Sequence, residues 1–410
     1  MKNIAVVGAG IIGICSAFFL QKSGYKVTLI DHNEPGSQTS FGHACTFANY
    51  ACMPINSPSI FKQLPSLLLK KDGPLSIDYF YLLKNMSWVF QFLKNCQPKK
   101  VKYIASSLKN LLDHSASAYD EIFNEVNVSK YIENNETLYL YNSQKDYQVD
   151  QYSIDLRRNL GVDLRELDKN AIKDLEPNIA PEYYKGILFK DSKFTNNPIK
   201  ISQKIFNTFL NKGGVFLNKK VKNIQEEENK LNIFYDNNKS SYDKIVICSG
   251  AWSKKLALMI GDDFPLDTER GYHVLFNNHD KLISRSVGCS QSGFYLIQIH
   301  DGIRAAGTVE IAGLQKGINN KRIKMIEREA RKLLPSLNEV KSTWIGFRPT
   351  LPDSMPVIGQ SPKNKKVYYA FGHQHIGWTS AAITGKAIQY TIEDKKQNFD
   401  LSPFNPQRFV

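Results

Sequence analysis

Three glycines near the start of the chain, Gly8, Gly10 and Gly13 in VVGAGIIG, have the spacing that lets a backbone close on a pyrophosphate. In such a turn the first glycine makes the tight bend, the second admits the phosphates, and the third lets helix and strand pack closely. Ile11 and Ile12 open a helix whose free N–H groups would face the anion. Asp31, followed by His32, stands close to the position roughly twenty residues downstream at which a carboxylate accepts both hydroxyls of an adenosine ribose. The same stretch, with Lys2 ahead of an apolar run over residues 4–20, has two of the three parts of a secretion signal. The small-residue cleavage site is missing. The chain continues as QKSGYKVTLID, in which Gly24 stops a helix and residues 27–30 form a strand ending on Asp31. Strand, helix, strand is the context that the nucleotide reading requires.

A second glycine bend lies far along the chain. VYYAFGHQHIGWTSAAITGKAI, residues 367–388, places Gly372 and Gly377 between a strand and the N-terminus of a helix. A nicotinamide enzyme with one nucleotide unit has no need of this bend. A flavin does, because its reduced ring is anionic near N1 and C2=O and the positive end of a helix stabilises that charge. His373 and His375 form an H-x-H pair, but no acidic or cysteine cluster supplies a third ligand, so no metal is expected.

GAGIIG, TSFGHA, ICSGAWS, RGY, GFRPTLPDSMPVIG and GHQHIGWT occur in that order. On this ordered set, over essentially its full length, the chain resembles the D-amino-acid oxidase-like flavoproteins, and among them the bacterial D-amino-acid dehydrogenases. The resemblance implies FAD as cofactor. It implies that Gly8, Gly10, Gly13 and Asp31 meet the ADP half, flanked by Ile11, Ile12 and His32, and that Ser40, Gly42, His43 and Ala44 lie along the flavin. Val221 would meet adenine through its backbone, and Ser249, Gly250 and Trp252 would close the other side of the pyrophosphate. Gly372, His373, Gly377, Trp378 and Thr379 would surround the pyrimidine edge, with His373 ordering that loop. Arg348 matches the arginine that clamps the substrate carboxylate, a role suited to a planar guanidinium with two parallel N–H bonds to offer. Tyr295 matches a tyrosine placed over the substrate, and Tyr272, after Arg270 and Gly271, is a further candidate for the pocket. One departure concerns His43, where close relatives usually carry asparagine. In sarcosine and dimethylglycine dehydrogenases a histidine in a similar loop is bonded covalently to FAD.

The implied reaction is oxidative deamination of a D-amino acid. Arg348 holds the carboxylate, the neutral amine donates its lone pair, the Cα hydride passes to flavin N5, and the imine hydrolyses to a 2-oxo acid and ammonia. Electrons would leave to a quinone or another acceptor. A glycine, sarcosine or other N-methyl amino acid oxidase, a D-proline or hydroxyproline dehydrogenase, and a non-catalytic flavoprotein stay open as alternatives. An NADPH-using monooxygenase would need a second GxGxxG, which is not found.

Elements to position these residues can be read along the chain. With 410 residues, about two domains are expected. The fold class is α/β: a Rossmann-like FAD-binding domain assembled from residues 1–50, 195–255 and 340–410, and an α+β substrate domain with a mostly antiparallel sheet from residues 51–194 and 256–339. Residues 35–58 read as a long loop lying over something, followed by a mainly helical stretch. Alternation on both sides of Asp301-Gly302 predicts a hairpin over residues 293–309, and an amphipathic helix is expected at about 321–334.

The net charge of +14 suits anionic partners, but lysine is spread over the whole chain and no base-reading helix, zinc finger or aromatic RNA signature accompanies it. Nucleic acid is therefore not an expected partner. Six scattered cysteines without C-x-x-C spacing suggest reduced thiols in a cytoplasmic setting. No later run reaches the 18 or so apolar residues that a spanning helix needs. Residues 75–93, dense in aromatic and aliphatic side chains and followed by lysines at 94, 99, 100 and 102, could lie on the inner face of the cytoplasmic membrane or pack against the rest of the protein. Nothing in the residues sets the oligomeric state.

Overall fold

The computed structural model describes residues 2–60, 73–236 and 238–410. The part of the expected helical stretch that falls on residues 61–72 lies outside them. VVGAGIIG folds as the strand Asn3–Val7, a glycine bend and the helix Ile11–Lys22, and the chain returns as the strand Lys26–Asp31. Gly24, at φ +87°, supplies the left-handed residue that ends the helix. These strands are apolar on both faces, as a parallel strand between two layers must be. The resulting six-stranded sheet runs in the spatial order Val215–Asn218, Lys26–Asp31, Asn3–Val7, Lys244–Ile247, Val367–Phe371, Val357–Gln360. All neighbours are parallel except the last pair. Its helix Ile11–Lys22 packs on the helix Gly377–Ile392, and a Cβ at Gly385 would stand 2.7 Å from the backbone of Cys15. The two helices that begin at the two glycine bends are thus in direct contact.

The larger sheet runs Val340–Thr350, Asp267–Phe276, Gly302–Ile311, Phe294–Ile299, Val287–Cys289, Thr137–Tyr141, Lys185–Phe189, Leu164–Leu167, with Leu75–Ile77 beside Gly302–Ile311. It is mostly antiparallel, and the expected hairpin closes at Asp301-Gly302. The helix Asn320–Leu333 covers one face over a core that includes Val274, Phe276, Ile303 and Ile326. The other face meets the chain after Ser40, where Cys45 and Ala44 pack with Leu275, Ile297 and Tyr295. Val340–Thr350, grouped by sequence with the nucleotide-binding segments, pairs along its length with Asp267–Phe276 and so belongs to this larger sheet. The stretch 35–58 contains the short strand Thr46–Ala48, paired with Ser192–Thr195.

All six cysteines are free and buried. Among the described residues no helix is long and apolar enough to cross a membrane.

Candidate functional site

The first bend is built as its glycines require. Gly8 has φ +108°, and a Cβ there would lie 2.5 Å from the Cys248 carbonyl oxygen. A Cβ at Gly13 would lie 1.8 Å from the carbonyl oxygen of Gly8, so helix and strand meet without room for a methyl group. Asp31 accepts hydrogen bonds from the N–H groups of Ala9 at 2.7 Å and Asn33 at 2.9 Å, which ties the carboxylate to the bend. The helix start has no side-chain cap from Gly10; the Ile11 N–H instead donates to Ser40 Oγ at 3.0 Å. Ile12 is half-buried against the core. Across the bend, Ser249 donates to the Val7 carbonyl at 3.0 Å, and Gly250, at φ +55°, borders open space. Such a concave run of backbone N–H groups at a helix N-terminus can hold a pyrophosphate. Three of the expected residues sit further out. His32 is exposed beside Asp31, Val221 packs at the rim of the Ile224 and Leu231 cluster, and Trp252 is 43% exposed with its edge on Phe347.

At the second bend, the His43 and Trp378 rings stack at 4.4 Å. His43 Nδ1 accepts from the Cys45 N–H at 2.8 Å, so its ring proton is on Nε2. Burial first, then the charges of Arg304 and His273, hold His43 well below the usual histidine range. Its Nε2 and the Trp378 Nε1 are both buried with no hydrogen-bond partner among the described residues. Two neighbouring donors with no acceptor fit a site completed by a polar ring such as a flavin. Gly42 lies against Trp344, whose ring would be 2.1 Å from an added Cβ, and its carbonyl accepts from His273 Nδ1 at 3.1 Å. Gly372 turns at φ +86° and Gly377 begins the helix. Thr379 accepts from the Ala48 N–H at 2.9 Å and so ties the helix to the Thr46–Ala48 strand. His373 is bonded to Thr384 at 3.0 Å and is pushed down to about 3 by burial; it braces the loop as a neutral ring. His375 instead meets Glu269 at 2.9 Å. The two histidines of GHQH therefore serve separate partners.

Arg348 faces Glu269 across the pair of strands, and the register places Gly271, His273, Trp344 and Gly346 on that same face. Its guanidinium lies over Gly271, where a Cβ would be 2.3 Å from Nη2, and donates to the carbonyls of Thr308 at 2.7 Å and Gly307 at 3.4 Å. Among the described residues no carboxylate lies within salt-bridge distance of it. Burial lowers its pKa and the Glu269 charge draws it back up. Tyr295 shares the face, since it pairs with Ala306, which pairs with His273.

Tyr272 does not lie on this face. It alternates with Gly271 and His273, so it points to the opposite face, 1% exposed, where it donates to Glu310 at 2.5 Å within the core under Asn320–Leu333. Sequence reasoning missed Arg304, 2% exposed, which donates to the carbonyls of Phe41 at 2.8 Å and His43 at 3.3 Å and so clamps the loop that carries His43. An arginine inside the otherwise apolar strand IRAAG was its signal. His273, Trp344 and Glu269 were also missed.

The model of the family described as FAD dependent oxidoreductase matches residues 3–391. A D-amino-acid oxidase of Bradyrhizobium diazoefficiens is 31% identical over 419 residues, covering 100% of this chain and 99% of that protein. A D-amino acid dehydrogenase of Vibrio vulnificus is 27% identical, covering 96% of each. The crystal structure of glycine oxidase from Geobacillus kaustophilus is similar with a TM-score of 0.76 at 17% identity, over 100% of both chains, and shares the fold. The chain belongs to the family of FAD dependent oxidoreductases, and FAD is its cofactor.

Proposed function

We propose that this chain oxidises the Cα–N bond of a D-amino acid, giving a 2-oxo acid and ammonia after hydrolysis of the imine. The observation that carries the reading is Arg348: a half-buried guanidinium bonded, among the described residues, to neutral carbonyls, on the sheet face that turns toward the loop Ser40 to Cys45. Glu269 faces this cation without touching it, so the guanidinium keeps free N–H groups for an anion, and a planar fork suits a carboxylate. The full-length relatives named for D-amino acids support the substrate class and its configuration. FAD, when bound, supplies the acceptor for the Cα hydride and the two electrons it carries.

The residues of the chain do the rest. The bend at Gly8, Gly10 and Gly13, with Asp31, Ile11, Ser40, Ser249 and Gly250, would hold the ADP half. His43, Trp378 and the Gly372 to Gly377 loop would hold the flavin, and Arg304 fixes the loop that carries His43. Arg348 would orient the carboxylate while Tyr295 walls the pocket. No side chain is needed as a base if the amine enters neutral.

Anaerobic addition of D- and L-amino acids to the yellow protein tests this. D-amino acids should bleach the flavin absorption. If they leave it intact while N-methylglycines or hydroxy acids remove it, the substrate class is wrong.

The acceptor is proposed to be a quinone reached at a membrane surface. The helices Tyr79–Lys84 and Met86–Lys94 bury none of their residues, and Phe80, Leu83 and Phe90 are 70%, 69% and 64% exposed. Lys84 caps the Phe80 ring at 4.3 Å, and Lys94, Lys99 and Lys100 come next, the pattern of an interfacial segment. Holoenzyme should float with vesicles containing anionic lipid, and a variant with Phe80, Leu83 and Phe90 changed to serine should not. Flotation of that variant at the wild-type level would remove the membrane from the account.

A further inference from the structure

Glu269 stands directly opposite Arg348 on the same face of the larger sheet, and the reaction above does not use it. It is buried, 2% exposed, yet it forms no ion pair with the cation across from it. The cause is the direction that the arginine takes. Its guanidinium leans over Gly271, which has no side chain to hold it off, and bonds the Thr308 and Gly307 carbonyls on the next strand. Gly271 lies two residues along the strand from Glu269 on that face, a rise of about 6.6 Å.

The Glu269 carboxylate is held from another element. Gln374, at φ +45°, donates its N–H to the Pro349 carbonyl at 3.1 Å, which fastens the Gly372 to Gly377 loop over the end of Val340–Thr350. His375 Nε2 then meets Glu269 Oε2 at 2.9 Å. Among the described residues no lysine or arginine lies within salt-bridge distance of this acid, and no hydrogen bond reaches its Oε1. A buried acid and a half-buried cation thus share one face, opposite in charge and out of contact, under the loop that carries Trp378.

Resting on the reading that Arg348 takes the α-carboxylate, we propose that Glu269 takes the amino group of the same substrate, so that the site binds an amino acid as its zwitterion and selects it over hydroxy acids. An α-amino acid carries both charges on one carbon atom, so its two countercharges must stand close together. The acid and the cation beside Gly271 meet that requirement. A hydroxy acid brings a carboxylate to this place with no cation to offset Glu269, and like charges brought together in a buried site are disfavoured. The bound ammonium can pass one proton to the Glu269 carboxylate, which leaves the neutral amine that hydride departure requires. The amine then need not enter neutral. His375 occupies one carboxylate oxygen and leaves the other to the substrate.

The test uses the FAD-loaded enzyme with D-alanine, D-proline and D-phenylalanine, each set beside the acid that lacks its nitrogen: propanoate, cyclopentanecarboxylate and hydrocinnamate. Steady-state assays with a dye acceptor give kcat/KM for the amino acids, and inhibition of the same assays gives Ki for the acids. Glu269→Gln, which keeps an acceptor for the His375 ring, should lower kcat/KM for the amino acids by about 10-fold or more, the range expected for a lost hydrogen bond between charged groups. The same change should tighten the binding of the acids or leave their Ki within about 3-fold, because the repelling charge is gone. Glu269→Asp should retain part of the preference for the amino acids. Flavin content and Tm of both variants show whether they fold. Parallel weakening of amino acids and acids in Glu269→Gln would make the residue a brace between loop and sheet and would overturn the proposal, as would an unchanged kcat/KM. In either case, bleaching of the wild-type flavin by D-amino acids leaves the amino acid reading in place and only the role of Glu269 falls. If no amino acid bleaches it, the amino acid reading falls as well.

Discussion

Replacing Arg348 by leucine should leave a yellow, folded protein whose kcat/KM for its amino acid substrate is lower by about 30-fold to 5,000-fold, the equivalent of about 2 to 5 kcal/mol for truncating one partner of a buried charged pair. The reason lies in what the guanidinium touches. It is held over Gly271 by two carbonyls and among the described residues touches no carboxylate, so the change should remove the proposed ligand contact and leave no orphaned acid in direct contact behind. Arg348→Lys keeps a charge but offers no two-pronged geometry, and it should recover only a small part of the loss. Gly271→Ala gives an independent check. Its methyl group would stand 2.3 Å from Nη2, and the flexible arginine would move while the backbone stays in place, so KM should rise with little change in Tm. An Arg348→Leu enzyme with the wild-type KM would remove the carboxylate clamp from the account.

Gly13→Ala should yield a colourless protein. The added methyl group would overlap the Gly8 carbonyl oxygen at 1.8 Å, and neither partner is a side chain that can rotate away. The helix Ile11–Lys22 must then lift from the strand Asn3–Val7, which moves the N–H groups at its start and loosens its contact with Gly377–Ile392. Overpacking of this kind costs about 1 to 3 kcal/mol or more, so Tm should fall together with the flavin content. Gly10→Ala is the milder comparison, because its Cβ would meet only the Ser40 hydroxyl, at 3.3 Å. Full flavin content in purified Gly13→Ala protein would mean that the bend does not hold the cofactor.

The contrast between these glycines and the tyrosines explains how much could be read from the chain alone. A glycine turn between a strand and a helix is a local object, and Gly8, Gly13, Gly24 and Gly372 each occupy the conformation or the close approach that their spacing implies. Which face of a sheet a residue takes is set by its partner strands, which lie far away in sequence. Tyr295 and Tyr272 look alike as strand aromatics, yet the register with Val340–Thr350 and Gly302–Ile311 sends one to the Arg348 face and the other into the opposite core. The same long-range pairing hid His273, Trp344 and Glu269, and it draws Val340–Thr350 into the larger sheet although the segments after it return to the smaller one. The role of Arg304 was hidden for a related reason, although an arginine in an apolar strand marked the residue. Its partners, the carbonyls of Phe41 and His43, are brought to it only by long-range packing.

The most direct measurement is a crystal structure of the FAD-loaded enzyme with a bound carboxylic acid that mimics the substrate but cannot be oxidised. The acid's carboxylate should be forked by the Arg348 guanidinium, on the sheet face shared with Tyr295, and the flavin ring should lie beside it, against His43 and Trp378. A carboxylate bound elsewhere, with Arg348 still directed at the Thr308 and Gly307 carbonyls and out of reach of the ligand, would contradict the clamp on which the proposed reaction depends.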